Sequence, residues 1–407
     1  MRMTSSENNP VGLRRVLSLP WLVFYGVGVT VGAGIFALIG DIVAIAGVHT
    51  PWAFLVAGAV AGFTAFSYAA LSSVYPRAAG EAIYVQQAIA SWAGRLVGYG
   101  LIVTGLLTGA VIVVAFGRYV SSFSGVPEWL AVLVVLAGLA AIAVAGVRES
   151  VGFAALVTVL VVGTLLVVIA VGLPQTMASP VLWDVLAPPL ALSPWTGVVA
   201  GSFLAFFAFI GFENIVNMAE ETRDASTAIP KAVLLTLAIS VLIYALIAIV
   251  AAAYPDPASL IASKAPLALL FESATGRSGA AIAVMASIAM MNGILVQIVM
   301  ASRVLYGMAN EGMAPAFLGR IHAGRQTPIV GTVLIAIAIA GLALTVPLVR
   351  LAGMTSLIIL IIFTLVNVSL FILGRRADAP EKLRRWRWWG LGGAVVSLGL
   401  AVSELIA

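Results

Sequence analysis

Charged residues leave eleven long stretches of an otherwise apolar chain that contain no Lys, Arg, Asp or Glu. About 20 apolar residues are enough to cross a bilayer as a helix, so each stretch predicts one membrane span. The spans fall within 16–40, 42–76, 96–117, 129–147, 150–183, 185–212, 232–255, 278–302, 326–349, 351–374 and 388–403. We number them 1 to 11 and expect an all-α polytopic membrane protein. The fifth is expected to run into a loop that contains Pro174, and the sixth to continue to about Ala219.

The positions of the basic residues predict the orientation of the chain. Cytoplasmic loops are enriched in Lys and Arg, and an N-terminus inside the cell places 17 of the 21 on the cytoplasmic side. This predicts a multi-pass protein of the cell inner membrane, with a mobile cytoplasmic segment at 1–15 and, after eleven spans, a C-terminus outside. The basic run 382–389 is interpreted as an interfacial anchor because it is rich in tryptophan.

Composition narrows the class of protein further. The 407 residues are 62% apolar and only 9% charged, whereas soluble domains carry roughly 25% charged residues. The net charge of +5 marks membrane topology and does not indicate nucleic-acid binding. There is no cysteine, and the two histidines, His49 and His322, have no metal-ligand spacing. We therefore expect no metal, no cofactor and no catalytic residues, and the sequence contains no P-loop, HExxH or nucleophile elbow.

Spans 1 and 6 contain sequences typical of interrupted helices. Span 1 has Gly32 and Gly34 one residue apart, and span 6 has Gly211 within an aromatic-rich run. Gly32 lies 12 residues from Pro20, and Gly211 lies 16 from Trp195, which are depths of roughly 18 and 24 Å in a core about 30 Å thick. The alternative is that these glycines only allow close helix packing.

Because spans 1 and 6 enter from opposite faces, the two breaks predict a pair of inverted five-helix repeats. The first repeat would cover 16–173 and the second 185–374, and 375–407 would add a basic cytoplasmic loop and one extra span. Irregular backbone at this depth is tolerated where it lines a cavity. Amides at half-helix N-termini there bind a carboxylate, and exposed carbonyls bind an ammonium group.

Glu213 is the one acid that the sequence places in the middle of a span. A charged group inside a membrane helix is costly and is a functional candidate by default, so Glu213 is a candidate proton-responsive group. The alternative is a structural carboxylate paired with backbone amides or an arginine. Asn292, Gln297 and Asn367 are interpreted mainly as hydrogen-bonding links between helices, with Asn292 also a candidate to face a solute.

Four motifs in order resemble the amino acid, polyamine and organocation (APC) transporter superfamily. Val31–Phe36 is similar to its Gly-Ser/Ala-Gly-Ile-Phe signature, and Tyr75–Tyr84 resembles its Pro-x-Ala-Gly-Gly-x-Tyr-x-Tyr loop. Residues Phe207 to Pro230 resemble its span 6 and the exit from it, and Ser302 to Pro328 resemble the exit from its span 8. The resemblance extends over about 14–375.

This resemblance implies the leucine-transporter fold and alternating access. The amides of Gly32, Ala33, Gly34 and Ile35 would hold a substrate carboxylate, and carbonyls around Phe207, Ala208 and Ile210 would hold its ammonium group. Phe207 would also close over the substrate as a gate. Many relatives carry a lysine in span 5, but the corresponding position here is Val161, which leaves coupling to H⁺ or Na⁺ open. The family usually has twelve spans, and its dimer is built on the last two. With eleven spans predicted here, that dimer is not carried over to this chain.

The sequence therefore predicts a secondary transporter, not an enzyme, whose partners are an amino acid or related amine and the lipid bilayer. Proton coupling and exchange both remain open, as do an organic amine or polyamine carrier and an amino acid exporter. From a different class, a channel or a non-transporting membrane sensor remains an alternative.

Overall fold

A computed structural model describes residues 17–76, 80–145, 151–310, 315–322 and 327–406. The predicted mobile segment 1–15 and the motif residues 77–79 and 148–150 lie outside them. The helices in the described part of the chain are α1 Leu19–Thr30, α2 Ala33–Ala46, α3 Thr50–Val74, α4 Gly80–Ala88, α5 Ser91–Ser124, α6 Glu128–Ala145, α7 Val151–Met177, α8 Leu182–Leu186, α9 Ser193–Phe209, α10 Ala225–Ala252, α11 Pro257–Ala262, α12 Pro266–Thr275, α13 Ala280–Asn310, α14 Ile329–Thr345, α15 Leu348–Gly374 and α16 Glu381–Ile406. Short 3₁₀ segments cover Gly47–His49, Phe212–Glu221 and Ala316–Gly319.

Every predicted span corresponds to helix in the described residues, which confirms an all-helical polytopic fold. Nine segments there are long and apolar enough to cross a membrane, and α1 and α14 are shorter apolar helices. Helix is the form that such sequences take in lipid, because it satisfies every backbone hydrogen bond within the segment. Proline in the first turn of α3 and α9, where no amide hydrogen is needed, fixes where those helices begin.

Two predicted boundaries are wrong. Span 1 continues to Ala46, so Asp41 lies inside α2 and does not separate spans 1 and 2. Pro174 lies within α7, which runs on to Met177, and not in a loop. A proline near the end of a helix removes one hydrogen bond without stopping the last turn.

Several short helices mark the two ends of the bundle. α4 follows α3 at one end, which we call the α4 end. α11 and α12 lie between α10 and α13 at the other, which we call the α12 end. There Lys264 pairs with Glu128 at 2.8 Å, and Arg118 pairs with Asp41 at 3.9 Å. The broken spans lie inside: α1 contacts α7 and α10, and α2 contacts α9.

The last helix, α16, packs against α15 and α3. Asn367 on α15 donates a hydrogen bond to the Thr64 hydroxyl at 2.8 Å, and that hydroxyl lies 3.5 Å from the Ser397 hydroxyl on α16. Gly393 allows this approach, since a Cβ there would lie 2.7 Å from the Asn367 amide group. The prediction that Asn367 links helices is confirmed.

Candidate functional site

The break in span 1 occurs at the predicted glycine motif. α1 ends at Thr30, and α2 begins at Ala33 after the two-residue interruption Val31–Gly32. The Gly32 amide donates to the Thr30 carbonyl at 2.9 Å, so its hydrogen bond lies within the break. The next amides form the first turn of α2 and have no partner within that helix. Such amides, at the positive end of a helix, favour an anionic group.

The break in span 6 depends on Gly211. α9 ends at Phe209, Ile210 is extended, and Gly211 has φ +136°, a conformation that side chains rarely allow. A Cβ on Gly211 would also lie 2.9 Å from the Thr30 Cα. The glycine is therefore required both by its own backbone and by the close approach of span 1.

The two breaks face each other. A Cβ on Gly34 would lie 2.7 Å from the Ala208 Cα and 3.3 Å from Cδ1 of Phe207. Phe207 is 4% exposed, and Ile35 and Ala208 are also buried. Gly34, Phe207 and Ala208 of the predicted site are thus brought together in a closed, tightly packed arrangement.

Tyr244 on α10 links the two breaks through its hydroxyl group. The hydroxyl lies 2.7 Å from the Thr30 carbonyl and 2.9 Å from the Ala208 carbonyl, so its single hydrogen is shared between the two acceptors. The ring is fully buried and packs against Phe54 and Phe209. The sequence analysis missed this residue, because a single tyrosine in an apolar helix carries no motif.

The remaining carbonyls of the predicted ammonium site differ in their partners. The Phe207 carbonyl accepts a hydrogen bond from the Ile210 amide at 3.2 Å. The Ala208 carbonyl accepts from Tyr244, so in this closed form it already has a donor. Asn292 lies on α13, which contacts α2, and its buried Oδ1 has no hydrogen-bond partner within the described residues.

Glu213 caps the broken end of span 6. Its Oε2 accepts a hydrogen bond from the Gly211 amide at 2.8 Å, and its Oε1 accepts from the Asn214 side chain at 3.4 Å. The side chain is 4% exposed. Across the described ranges, neither of the two ion pairs includes Glu213.

A second buried acid was missed by the sequence analysis. Glu81, in the first turn of α4, is 1% exposed. In the sequence it stands only as one position of the motif Tyr75–Tyr84. Val161, which replaces the span 5 lysine of many relatives, is buried in α7 at 2% exposure.

Two interrupted membrane helices that meet inside a helical bundle are typical of membrane transport proteins. The sequence matches the amino acid permease family over residues 16–406. The chain belongs to this family, which confirms the resemblance that its motifs indicate. Its members are transporters, so the protein is not an enzyme.

Similar proteins come from bacteria and plants. An uncharacterized transporter of Mycobacterium tuberculosis is 30% identical, over 92% of this chain and 84% of the relative. The mitochondrial cationic amino acid transporter 3 of Arabidopsis thaliana is 28% identical, over 91% of this chain and 64% of the relative. The branched-chain amino acid permease BcaP of Bacillus subtilis is 26% identical, over 98% of this chain and 88% of the relative.

Proposed function

We propose that this protein is a secondary active transporter that moves small zwitterionic amino acids by alternating access. The observation that carries the proposal is the direct contact of the two breaks, with Gly34 against Ala208 and Gly211 against Thr30. Unwound backbone inside a membrane is tolerated where it is buried in protein or lines a cavity, and in transporters such breaks typically form the solute site. The names of relatives that carry branched-chain or cationic amino acids support the same class of solute.

The two breaks offer complementary partners for a zwitterion. The amides of Ala33, Gly34 and Ile35 in the first turn of α2 would bind the carboxylate. The carbonyls at the end of α9, including that of Ala208, would bind the ammonium group. Because the closed form has Phe207 against Gly34, the solute enters only when these segments separate, which gives Phe207 the role of a gate.

The charge distribution supports an orientation in the membrane. The α4 end carries the loops richest in Lys and Arg, so we place it, with the N-terminus, on the cytoplasmic side of the cell inner membrane. Spans 1–5 and 6–10 would then form the two inverted repeats, and α16 would be the extra span. The solute is exchanged, or is taken up together with a proton.

Glu213 is the proton-responsive group in this proposal, because it is a buried acid that caps the break itself. Glu213→Gln keeps the shape of the side chain and removes the titration. The variant should flatten the pH dependence of uptake and leave exchange partly intact. Glu220→Gln, at an exposed position of the same segment, is the control. A pH profile that stays as in the wild type would return Glu213 to a purely structural role.

The test of the function is counterflow in proteoliposomes that are preloaded with a panel of amino acids and amines, with pH and sodium varied independently. We expect a group of zwitterionic amino acids to accelerate the entry of labelled solute. Acceleration by amines alone would support an organic amine carrier and refute the carboxylate site. Flux without saturation would indicate a channel, and binding without flux would indicate a sensor.

A further inference from the structure

Glu81 lies in a buried cluster at the α4 end of the bundle. It is 1% exposed, and Tyr84, one helical turn further along α4, is fully buried. Tyr68 on α3 is also fully buried and lies beside both residues, with its ring 6.2 Å from that of Tyr84. Burying an acid and two tyrosines in the interior of a membrane protein is costly, so such a cluster is a candidate functional site.

The same cluster reaches the broken span 6. The Tyr68 ring lies 6.0 Å from that of Phe212, the residue before Glu213, and 5.7 Å from that of Phe363 on α15. A Cβ on Gly80 would lie 2.9 Å from the side chain of Val216, one 3₁₀ turn after Glu213. The first turn of α4 is thus packed against the segment that carries Glu213. Glu81 directly follows Gly80, and Glu213 lies one 3₁₀ turn before Val216, so this contact brings the segments of the two acids together.

Three polar atoms of the cluster lack hydrogen-bond partners within the described residues. They are Glu81 Oε2 and the hydroxyl oxygens of Tyr68 and Tyr84. The Tyr68 hydroxyl lies near the Glu81 carboxyl. An unsatisfied buried polar group costs about 1–3 kcal/mol. The cluster is therefore polar, closed to water and incompletely bonded in this form.

No base neutralises the two acids within the described ranges. The groups that face Glu81 are Tyr68 from α3, Tyr84 from α4 itself and Glu213 from the 3₁₀ segment. From α15 the neighbour is the apolar Phe363, and α5 approaches through Gly94, near the Ala82 carbonyl. Arg376 contacts α4 at its other end, where it donates to the Gln87 carbonyl. Arg95 on α5 is exposed, and Arg77 lies outside the described residues.

We infer that Glu81 and Glu213 form one proton-binding site that holds a single proton, carried by one carboxyl group or the other, with Tyr68 packed against both of their segments. Burial disfavours the charged form of each acid, and no base within the described residues offsets this cost, so the pair retains one proton. Burial raises the pKa of Glu81 to about 7, which is consistent with titration near neutral pH. The inference rests on the proposed function, in which Glu213 responds to protons, and adds the residue that shares its proton.

The physical consequence is a link between α4 and span 6. The shared proton removes the repulsion that would otherwise separate α4 from the 3₁₀ segment. Loss of the proton leaves two negative charges across that contact and favours its opening. The proton therefore stabilises closure at the α4 end.

The test is an infrared pH titration of the purified full-length protein in lipid, which reads protonated carboxyl groups directly and needs no solute. The wild type should lose one buried protonated carboxyl in the neutral range. Glu81→Gln removes the competing charge, so the midpoint should move to lower pH by about one unit or more. Glu81→Gln combined with Glu213→Gln should abolish the signal, and Glu220→Gln, which changes an exposed acid, should leave it as in the wild type.

Three results would overturn the inference. One is an unchanged titration in Glu81→Gln together with a lost signal in Glu213→Gln, since Glu213 would then titrate alone. Another is a wild-type midpoint that shifts in Arg77→Gln by as much as in Glu81→Gln, because Arg77 would then be the partner of Glu81. The third is a midpoint that moves when the pH titration is repeated with sodium present, which would make the cluster a cation site.

Two further measures keep the result interpretable. If Glu81→Gln does not assemble, Glu81→Asp replaces it and shortens the carboxyl side chain. A shared site predicts that the titration midpoint of Glu81→Asp differs from that of the wild type. If Glu213 titrates independently, the midpoint should not change. Because the spectra need no transport, a failure of counterflow with every amino acid would refute the proposed function and leave the shared-proton site to be judged separately.

Discussion

Replacing Gly34 by alanine tests the contact between the two breaks with the smallest possible perturbation. The added Cβ would lie 2.7 Å from the Ala208 Cα, about 1 Å inside the optimal carbon–carbon separation of roughly 3.5–4.0 Å. The nearest obstacle is backbone, so α2 and α9 must move apart in the closed form. Overpacking of this kind costs about 1–3 kcal/mol. The open form, in which these segments separate, does not carry this cost.

The expected result is a loss of exchange without a loss of the protein. If the closed form is destabilised by about 1–3 kcal/mol, its population relative to the open form falls roughly 5- to 150-fold. Counterflow in proteoliposomes, which must pass through the closed form, should slow by a similar factor. Gly34→Val adds two more carbons at the same place and should abolish counterflow, with membrane insertion retained.

The matched control is Gly163→Ala on α7, where a Cβ meets nothing within 4 Å. It makes the same chemical change in another membrane helix and should leave counterflow at the wild-type rate. Size-exclusion profiles and thermal melting in detergent would establish that each variant is assembled. A Gly34→Ala variant with wild-type counterflow would refute the argument that the two breaks must touch during transport.

Three other variants test separate features. Gly211→Ala should lower stability in a detergent melt by roughly 1–3 kcal/mol from backbone strain alone, and by more than Gly276→Ala, which has φ +67° but open space around it. Tyr244→Phe leaves two buried carbonyls without their shared donor and should cost about 1–3 kcal/mol in the same assay, whereas Tyr99→Phe, at an exposed position, should cost nothing measurable. Burial raises the pKa of Glu81 from 4.5 to about 7, so the neutral acid is favoured in the folded state and its stabilising effect is lost as pH rises from about 4.5 through 7. Glu81→Gln should therefore stabilise the protein by about 3 kcal/mol near pH 8 and leave it unchanged near pH 4; the opposite pH dependence would contradict the burial argument.

The spans could be predicted because long apolar runs have one solution in lipid, and the breaks could be located because Gly32 and Gly211 stand at mid-membrane depth. The sequence could not reveal which carbonyls the breaks expose, since the role of Tyr244 depends on three segments that are distant along the chain. Glu81 was missed for a related reason. Its neighbours in sequence, Gly80 and Ala82, indicate no polar partner, whereas its neighbours in space include Tyr68 and Glu213.

The Tyr244 hydroxyl has a further consequence, because it carries one hydrogen and lies within reach of two carbonyls. A hydroxyl donates fully to one acceptor at a time and otherwise divides its hydrogen between two. When the carbonyl of Thr30 withdraws, the hydrogen becomes wholly available to that of Ala208, and the reverse holds when Ala208 withdraws. Movement of one segment therefore strengthens the hold on the other, so simultaneous release of both carbonyls is disfavoured over release of either one. A single phenol group can in this way favour sequential movement of the broken spans 1 and 6, one after the other.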